Sequence, residues 1–195
     1  EDSPSNPSTP YGISKYHAER EVLAFGRRTG LQCVVLRLPM VYGPGNKGNM
    51  LCLLKKAAAG KSLPFGAISN RRSMVYVENV AEAVYATLNS PNSAGKTYIV
   101  SDKTPYSTKE LYETIGQAFG MKRPTYWVPS VFLRVMGWAG SLLEGLIRKP
   151  MPINREMIQR IMGDLVFSSE KLHEELGFSP SYSLRQGIQK TVNWY

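Results

Sequence analysis

Pro7-Ser8-Thr9-Pro10-Tyr11-Gly12-Ile13-Ser14-Lys15-Tyr16-His17-Ala18-Glu19 opens a segment that reads as helix from about Pro10 to Thr29. At 3.6 residues per turn, the spacing of Tyr11 and Lys15 sets both side chains on one helix face, so the ammonium can lie beside the phenol. A phenol next to a fixed cation is a candidate proton donor. Its free pKa of about 10 approaches 7 for roughly 4 kcal/mol of preferential stabilisation of the phenolate, which one close, partly desolvated positive charge can largely supply. The bland reading is an exposed aromatic beside a solvated Lys, and the pair alone does not separate the two.

Outward from this segment, elements alternate. A strand is expected over Cys33 to Leu38, then a loop, a helix from Met50 to Gly60 and an extended piece at Leu63 to Phe65. Next come a strand around Met74 to Val77, a helix from Glu78 to Asn89, a strand from Thr97 to Ser101 and a helix from Thr108 to Phe119, for which Ser107 and Glu110 supply a capping box. Helices over Val131 to Ile147, Arg155 to Met162, Ser169 to Leu176 and Leu184 to Tyr195 complete the chain. Strands alternating with helices at this spacing predict an α/β layered fold.

The composition is that of an ordinary globular chain: 195 residues, 43% hydrophobic, enough to bury one core or one core plus part of another. No signal-peptide pattern stands out, and the most apolar stretch, Val131 to Ile147, carries Arg134 and Glu144 and reads as short of a membrane span. Cys33 and Cys52 both lie in apolar settings and read as reduced core residues of a cytoplasmic protein rather than a disulfide or metal pair. His17 and His173 stand alone on separate helices, so no metal site is expected. The net charge of +9 comes from scattered pairs, such as Arg27-Arg28 and Lys122-Arg123, without a run or an aromatic-basic alternation. That pattern argues against a nucleic-acid partner and for a solvated basic surface.

Four motifs in order carry a family resemblance: the Tyr11/Lys15 segment, Leu36-Arg37-Leu38-Pro39-Met40-Val41-Tyr42-Gly43-Pro44-Gly45, Arg72-Ser73-Met74-Val75-Tyr76-Val77-Glu78-Asn79-Val80-Ala81, and Lys171-Leu172-His173-Glu174-Glu175-Leu176-Gly177-Phe178-Ser179-Pro180. Together they resemble the extended short-chain dehydrogenase/reductase superfamily, the nucleotide-sugar epimerases, dehydratases and ketoreductases. The resemblance implies the C-terminal part of a Rossmann-type doubly wound sheet plus a small, mostly helical substrate domain. Residues 1–42 and about 74–101 would belong to the NAD(P)-binding domain, and residues 43–73 and about 102–195 to the nucleotide-sugar side. The glycine-rich turn that takes the pyrophosphate in such enzymes is expected after a first strand and ahead of the Tyr/Lys pair. It is not found there. The cluster Gly43-Pro44-Gly45-Asn46-Lys47-Gly48 is set aside for that role, being read as wrongly spaced and lying after the pair. With its polar, Pro-rich opening the chain reads as a partial sequence, inactive alone.

The resemblance also implies roles residue by residue. Tyr11 would be the general acid or base at the sugar oxygen, with Lys15 lowering its pKa and holding the nicotinamide ribose. Pro39 and Val41 would contact the nicotinamide end, and Asn49 would hold the diphosphate at a helix N-terminus. Leu63 and Phe65 would flank the base, Arg72 would pair with a phosphate, and Arg160 is a weaker second phosphate ligand. Against these stand plainer readings: Leu63 and Phe65 as core residues, Asn49 as a helix cap, Arg72 as a salt-bridge partner, Arg160 as a surface helix residue. Tyr42 and Tyr76 read as packing aromatics. UDP-hexose 4-epimerases usually carry Asn where Met40 stands, and the loops around Gly43 to Asn49 and Leu63 to Gly66 look closest to the branch that reduces UDP-4-keto sugars. The implied activity is NAD- or NADP-dependent epimerisation or ketoreduction of a UDP-sugar by hydride transfer at C4. The alternative is a nucleotide-sugar-binding or interaction module without redox chemistry. Many relatives pair through the helix corresponding to 10–29, which leaves a homodimer open.

Overall fold

The computed structural model describes residues 6–147, 149–151 and 153–195. Helix α1 (Pro10–Thr29) has the limits its punctuation predicts. Thr9, in extended conformation, accepts a hydrogen bond from the Gly12 N–H at 3.1 Å; Pro10 occupies the first turn, where its missing N–H is no loss, and Gly30 closes the helix at φ 77°.

Two strands follow where one was expected. The run 33–38 shortens to β1 (Val35–Arg37), and the residues expected as a loop form β2 (Met40–Tyr42). Pro39 has no N–H for a ladder, so it splits the apolar run into two pieces with different partners. β1 pairs in parallel with β4 (Thr97–Ile99), Val35 opposite Thr97, and β2 pairs in parallel with β3 (Met74–Tyr76), Met40 opposite Met74. Among the described residues the strands thus form two two-stranded parallel sheets rather than one continuous sheet. Leu63 bridges Thr125, so the expected extended piece exists as an isolated pairing.

The helices are α2 (Gly48–Ala58), α3 (Val77–Leu88), α4 (Thr108–Ala118), α5 (Ser130–Ile147), α6 (Arg155–Met162), α7 (Glu170–Leu176) and α8 (Leu184–Trp194), with a 3₁₀ turn at Pro91–Ser93. At α4 the Ser107 hydroxyl accepts from the Glu110 N–H at 3.0 Å. A reciprocal box that the sequence reading did not note stands at α8, where Ser183 and Gln186 each cap the other's backbone N–H.

Three apolar clusters organise the packing. The largest joins Tyr42, Met74 and Tyr76 on β2 and β3 to Leu54 of α2, Tyr112 of α4 and Ile188 of α8. A second links Val75, Tyr98 and Val100 to Leu172 of α7, and a third joins Ile68 to Leu133 of α5 and Ile158 of α6. Helix α8 approaches the first cluster through Gly187, where an added Cβ would lie 2.7 Å from Tyr76 Cδ2 and 2.9 Å from Tyr42 Cε2.

Two expectations are corrected. Cys52 is exposed on α2 rather than buried, while Cys33 is half-buried, and both are free thiols. Helix α5 is 18 residues long with a mean hydropathy of 1.3, so by length and composition alone it does reach the measure of a membrane-crossing helix.

Candidate functional site

Tyr11 and Lys15 occupy successive turns at the start of α1, with the Lys15 Nζ 5.5 Å from the centre of the Tyr11 ring. Both are exposed, Tyr11 to 73%, and no described residue hydrogen-bonds the phenol or the ammonium. The helix that carries them is fixed to β1 one turn further on. Arg37 donates from Nε to Glu19 Oε2 at 3.0 Å and from Nη2 to Glu19 Oε1 at 2.7 Å, a two-pronged ion pair with the Glu19 side chain only 16% exposed. Glu19 lies four residues beyond Lys15, and neither it nor Arg37 was picked out from the sequence as a site residue. The i, i+4, i+8 series Tyr11, Lys15, Glu19 along one helix stripe is the signal that could have found the first of them.

Three further tyrosines, Tyr42, Tyr76 and Tyr106, are held as neutral phenols. Tyr42 and Tyr76 are fully buried. Burial pushes the Tyr76 phenol up to about 12, reinforced by its hydrogen bond to Glu78, and Tyr42 is raised further by burial and by Asp102. Tyr106 is likewise pushed up to about 12 by burial, then by the Asp102 charge. None of these three is set to give up a proton near neutral pH.

Asp102, which the sequence reading passed over, is the centre of a buried network. Its carboxylate accepts from the Tyr42 hydroxyl at 2.9 Å, the Asn79 Nδ2 at 2.7 Å and the Tyr76 N–H at 3.2 Å, while its own N–H donates to the Met74 carbonyl. Asn79 extends the network to the Tyr182 backbone, donating to its carbonyl at 2.9 Å and accepting from its N–H at 2.9 Å. Burial holds the Asp102 carboxyl above its ordinary range against the lowering effect of these hydrogen bonds. The sequence signal was slight: one Asp at the end of the apolar run Thr97 to Ser101.

The remaining expected residues fall into three places. Val41 lies in β2 opposite Val75, and Pro39 is half-buried between β1 and β2; Met40 packs against the first cluster. Asn49 is exposed in the first turn of α2 and does not cap it: Lys47 stands at the cap position, and no side chain caps the helix. Leu63 and Phe65 are half-buried against the first cluster, with Phe65 edge-on to Tyr112 at 5.8 Å. Arg72 and Arg160 are brought together, but by backbone: the Arg72 guanidinium donates to the Arg160 carbonyl, and the Arg160 side chain turns to Glu156 at 2.6 Å.

The glycine cluster after β2 needs correcting on one point. Gly43, Gly45 and Gly48 do stand in Gly-x-Gly-x-x-Gly order, between a strand and a helix. Its conformation gives another reason for the first glycine. Gly43 has φ 151°, a Cβ there would be 2.4 Å from Val77 Cγ1, and its N–H is already held by the Asn46 side chain at 2.7 Å. Asn46 also donates to the Val41 carbonyl at 3.2 Å, so the turn is tied to its own strand.

Residues 1–101 match the model of the NAD dependent epimerase/dehydratase family. The chain is 30% identical to UDP-glucose 4-epimerase of Vibrio cholerae over 95% of its own length and 53% of the relative's. It is 26% identical to N-acetyl-alpha-D-glucosaminyl-diphospho-ditrans,octacis-undecaprenol 4-epimerase of Escherichia coli O157:H7, over 100% of its length and 59% of the relative's. The chain thus spans about half the length of the curated relatives it matches. In three dimensions it is similar to the UDP-glucuronic acid 4-epimerase of Bacillus cereus in complex with NAD, with a TM-score of 0.71 and 19% identity, covering 100% of this chain and 53% of that one. That likeness shows a Rossmann-type α/β fold. With the fold, the family match over the segment that carries Tyr11, Lys15, Glu19 and Arg37, and the relatives in agreement, the chain belongs to the NAD dependent epimerase/dehydratase family.

Proposed function

We propose that these residues serve an NAD(P)-dependent epimerase or 4-ketoreductase acting on a UDP-sugar, with Tyr11 as acid/base and Lys15 as its cationic neighbour. The observation that carries the reading is the Tyr11/Lys15 pair itself, exposed on one face of a helix that the Glu19–Arg37 pair fixes to β1. A phenol and an ammonium that no other described residue hydrogen-bonds suit the ribose and carboxamide end of a nicotinamide cofactor, with Pro39 and Val41 beside it. The cofactor supplies a hydride acceptor and donor. Tyr11 moves the proton at the sugar oxygen, and Lys15 orients the ribose through hydrogen bonds. The pyrophosphate end has no cradle among the described residues, since the Gly43 turn is tied to its own strand.

On the substrate side, the uncapped first turn of α2 beside Asn49 offers N–H donors to a diphosphate. Leu63 and Phe65 would flank the base. Arg72 would reach a phosphate only by leaving the Arg160 carbonyl, and Arg160 by leaving Glu156. The division into a cofactor part, residues 1–42 and about 74–101, and a substrate part belongs to this reading. So does the choice of UDP-sugar, supported by the relatives' activities.

The test is turnover of a UDP-hexose and of its 4-keto derivative by the polypeptide that the gene encodes, with product followed by NMR. An epimerase interconverts the C4 isomers with no net change in nicotinamide. A ketoreductase consumes one reduced nicotinamide per sugar. Neither outcome, with nucleotide-sugar binding intact, would leave a binding module and overturn the reading.

A further inference from the structure

Helix α5 is amphipathic in the wrong sense for a protein surrounded by water. Its buried residues are Leu133, Gly137 and Gly140, and its polar Ser141 and Glu144 also turn inward. The Ser141 hydroxyl accepts from the Arg155 N–H at 2.9 Å and Glu144 accepts from the Asn154 amide at 3.1 Å. The opposite face carries Val131, Phe132, Val135, Trp138, Leu142 and Leu146, all exposed, with Trp138 at 62% and Leu146 at 74%. At 100° per residue these six fall within a single arc that contains no charged side chain.

The surroundings say what covers this face. Tyr126 and Trp127, both exposed, precede the N-terminal end of α5, and the exposed Lys149 follows its C-terminal end. Residues 122–160 hold seven Lys and Arg against two Glu, and both Glu are engaged within the protein, Glu144 with Asn154 and Glu156 with Arg160. Between α5 and α6 an open cleft of about 760 Å³ is lined by Arg134, Trp138 and Arg155, beside Val135, Ile158 and Met162. Apolar residues facing outward, aromatics at one end, Arg134 and Arg155 in the cleft beside Trp138 and Lys149 after the C-terminal end are the arrangement of a helix lying in a bilayer interface.

We propose that α5 docks this protein onto the surface of an anionic membrane. The helix lies in the plane of the interface with its Phe132–Leu146 face among the acyl chains, and Arg134 and Arg155 take a lipid phosphate in the cleft beside Trp138. It does not cross the bilayer, because its other face is packed on α6 through Leu133, Gly137 and Gly140.

The test is flotation of the gene-encoded polypeptide with vesicles of phosphatidylcholine alone, or with about one-third phosphatidylglycerol. Wild type should float with the anionic vesicles and far less with the neutral ones, and raising salt should weaken the binding. The exposed-face double variant Leu142→Glu and Leu146→Glu should lose about tenfold or more in partitioning, with an unchanged circular dichroism melt showing that it folds. Arg134→Glu should remove the preference for anionic lipid. Wild type remaining unbound with both vesicle types would overturn the proposal, as would equal flotation of the double variant. So would an α5-dependent dimer, seen by sedimentation and dissolved by the same substitutions, that binds no vesicle: a second copy would then be the occupant.

Discussion

The Tyr42 hydroxyl donates a 2.9 Å hydrogen bond to the carboxylate of Asp102, sixty positions further along the chain, with both residues buried. Because Asp102 also accepts from Asn79 and the Tyr76 N–H, one carboxylate in the segment after β4 ties β2, β3 and the start of α3 together. Asp102→Ala would leave three donors without a partner, each costing about 1–3 kcal/mol when buried, so a loss on the order of 4 kcal/mol is expected. Tyr42→Phe removes one donor and leaves the carboxylate two others, for a loss of about 1–2 kcal/mol. Urea unfolding of the two variants checks the ranking, and an Asp102→Ala loss no larger than that of Tyr42→Phe would show that the carboxylate is not the hub.

The same carboxylate sets a pH dependence of known sign. Its folded pKa lies above the ordinary 3.8 because burial disfavours the charge. A group raised on folding contributes stability that is complete below its unfolded pKa and is lost as pH rises through the folded value. Glu78 and Glu175 are lowered, chiefly by hydrogen bonds from Lys190 and Lys96, and act the other way. The stability of wild type minus that of Asp102→Asn should therefore fall as pH rises from about 4 toward neutrality, because the variant removes only the Asp102 contribution. A difference that rises over that interval would contradict the raised pKa.

Gly187 is where α8 meets the Tyr76 and Tyr42 rings. A methyl group there must displace two buried aromatics at 2.7 and 2.9 Å. Gly187→Ala should destabilise the protein by about 1–3 kcal/mol, even though alanine is the better helix former. A variant of equal or greater stability would mean that α8 can shift outward at little cost.

The Glu19–Arg37 pair anchors α1 to β1. Glu19→Gln should speed amide exchange along α1 and lower kcat for the full reaction, with KM for the nucleotide-sugar nearly unchanged. Exchange in α1 as slow as in wild type would show that the helix is held by other contacts.

How much of this was legible in the sequence depends on where each signal lies. Pro10 and Gly30 punctuate α1 locally, so its limits could be read directly, and Thr108 and Arg155 began their helices as predicted. β2 was missed because Pro39 interrupts an apolar run whose two halves pair with strands more than thirty residues away, a non-local fact. Asp102 was missed for the same reason, as its role exists only once Tyr42, Tyr76 and Asn79 surround it. The apolar content of α5 was plain, but which of its faces packs is decided by Gly137, Gly140 and the partner helix α6. For the candidate site, the spacing of Tyr11 and Lys15 was readable. The engagement of Arg72 by the Arg160 carbonyl, and of Gly43 by Asn46, was not.

The most direct measurement is the turnover of Tyr11→Phe beside that of the unaltered gene product, on the UDP-sugar that the latter converts, with nucleotide-sugar affinity measured for both. If Tyr11 moves the proton, kcat falls on the order of 10²- to 10⁴-fold while affinity for the nucleotide-sugar is kept. Turnover within a factor of about two of wild type would contradict the assignment and leave the Tyr11/Lys15 pair as surface residues of an ordinary helix.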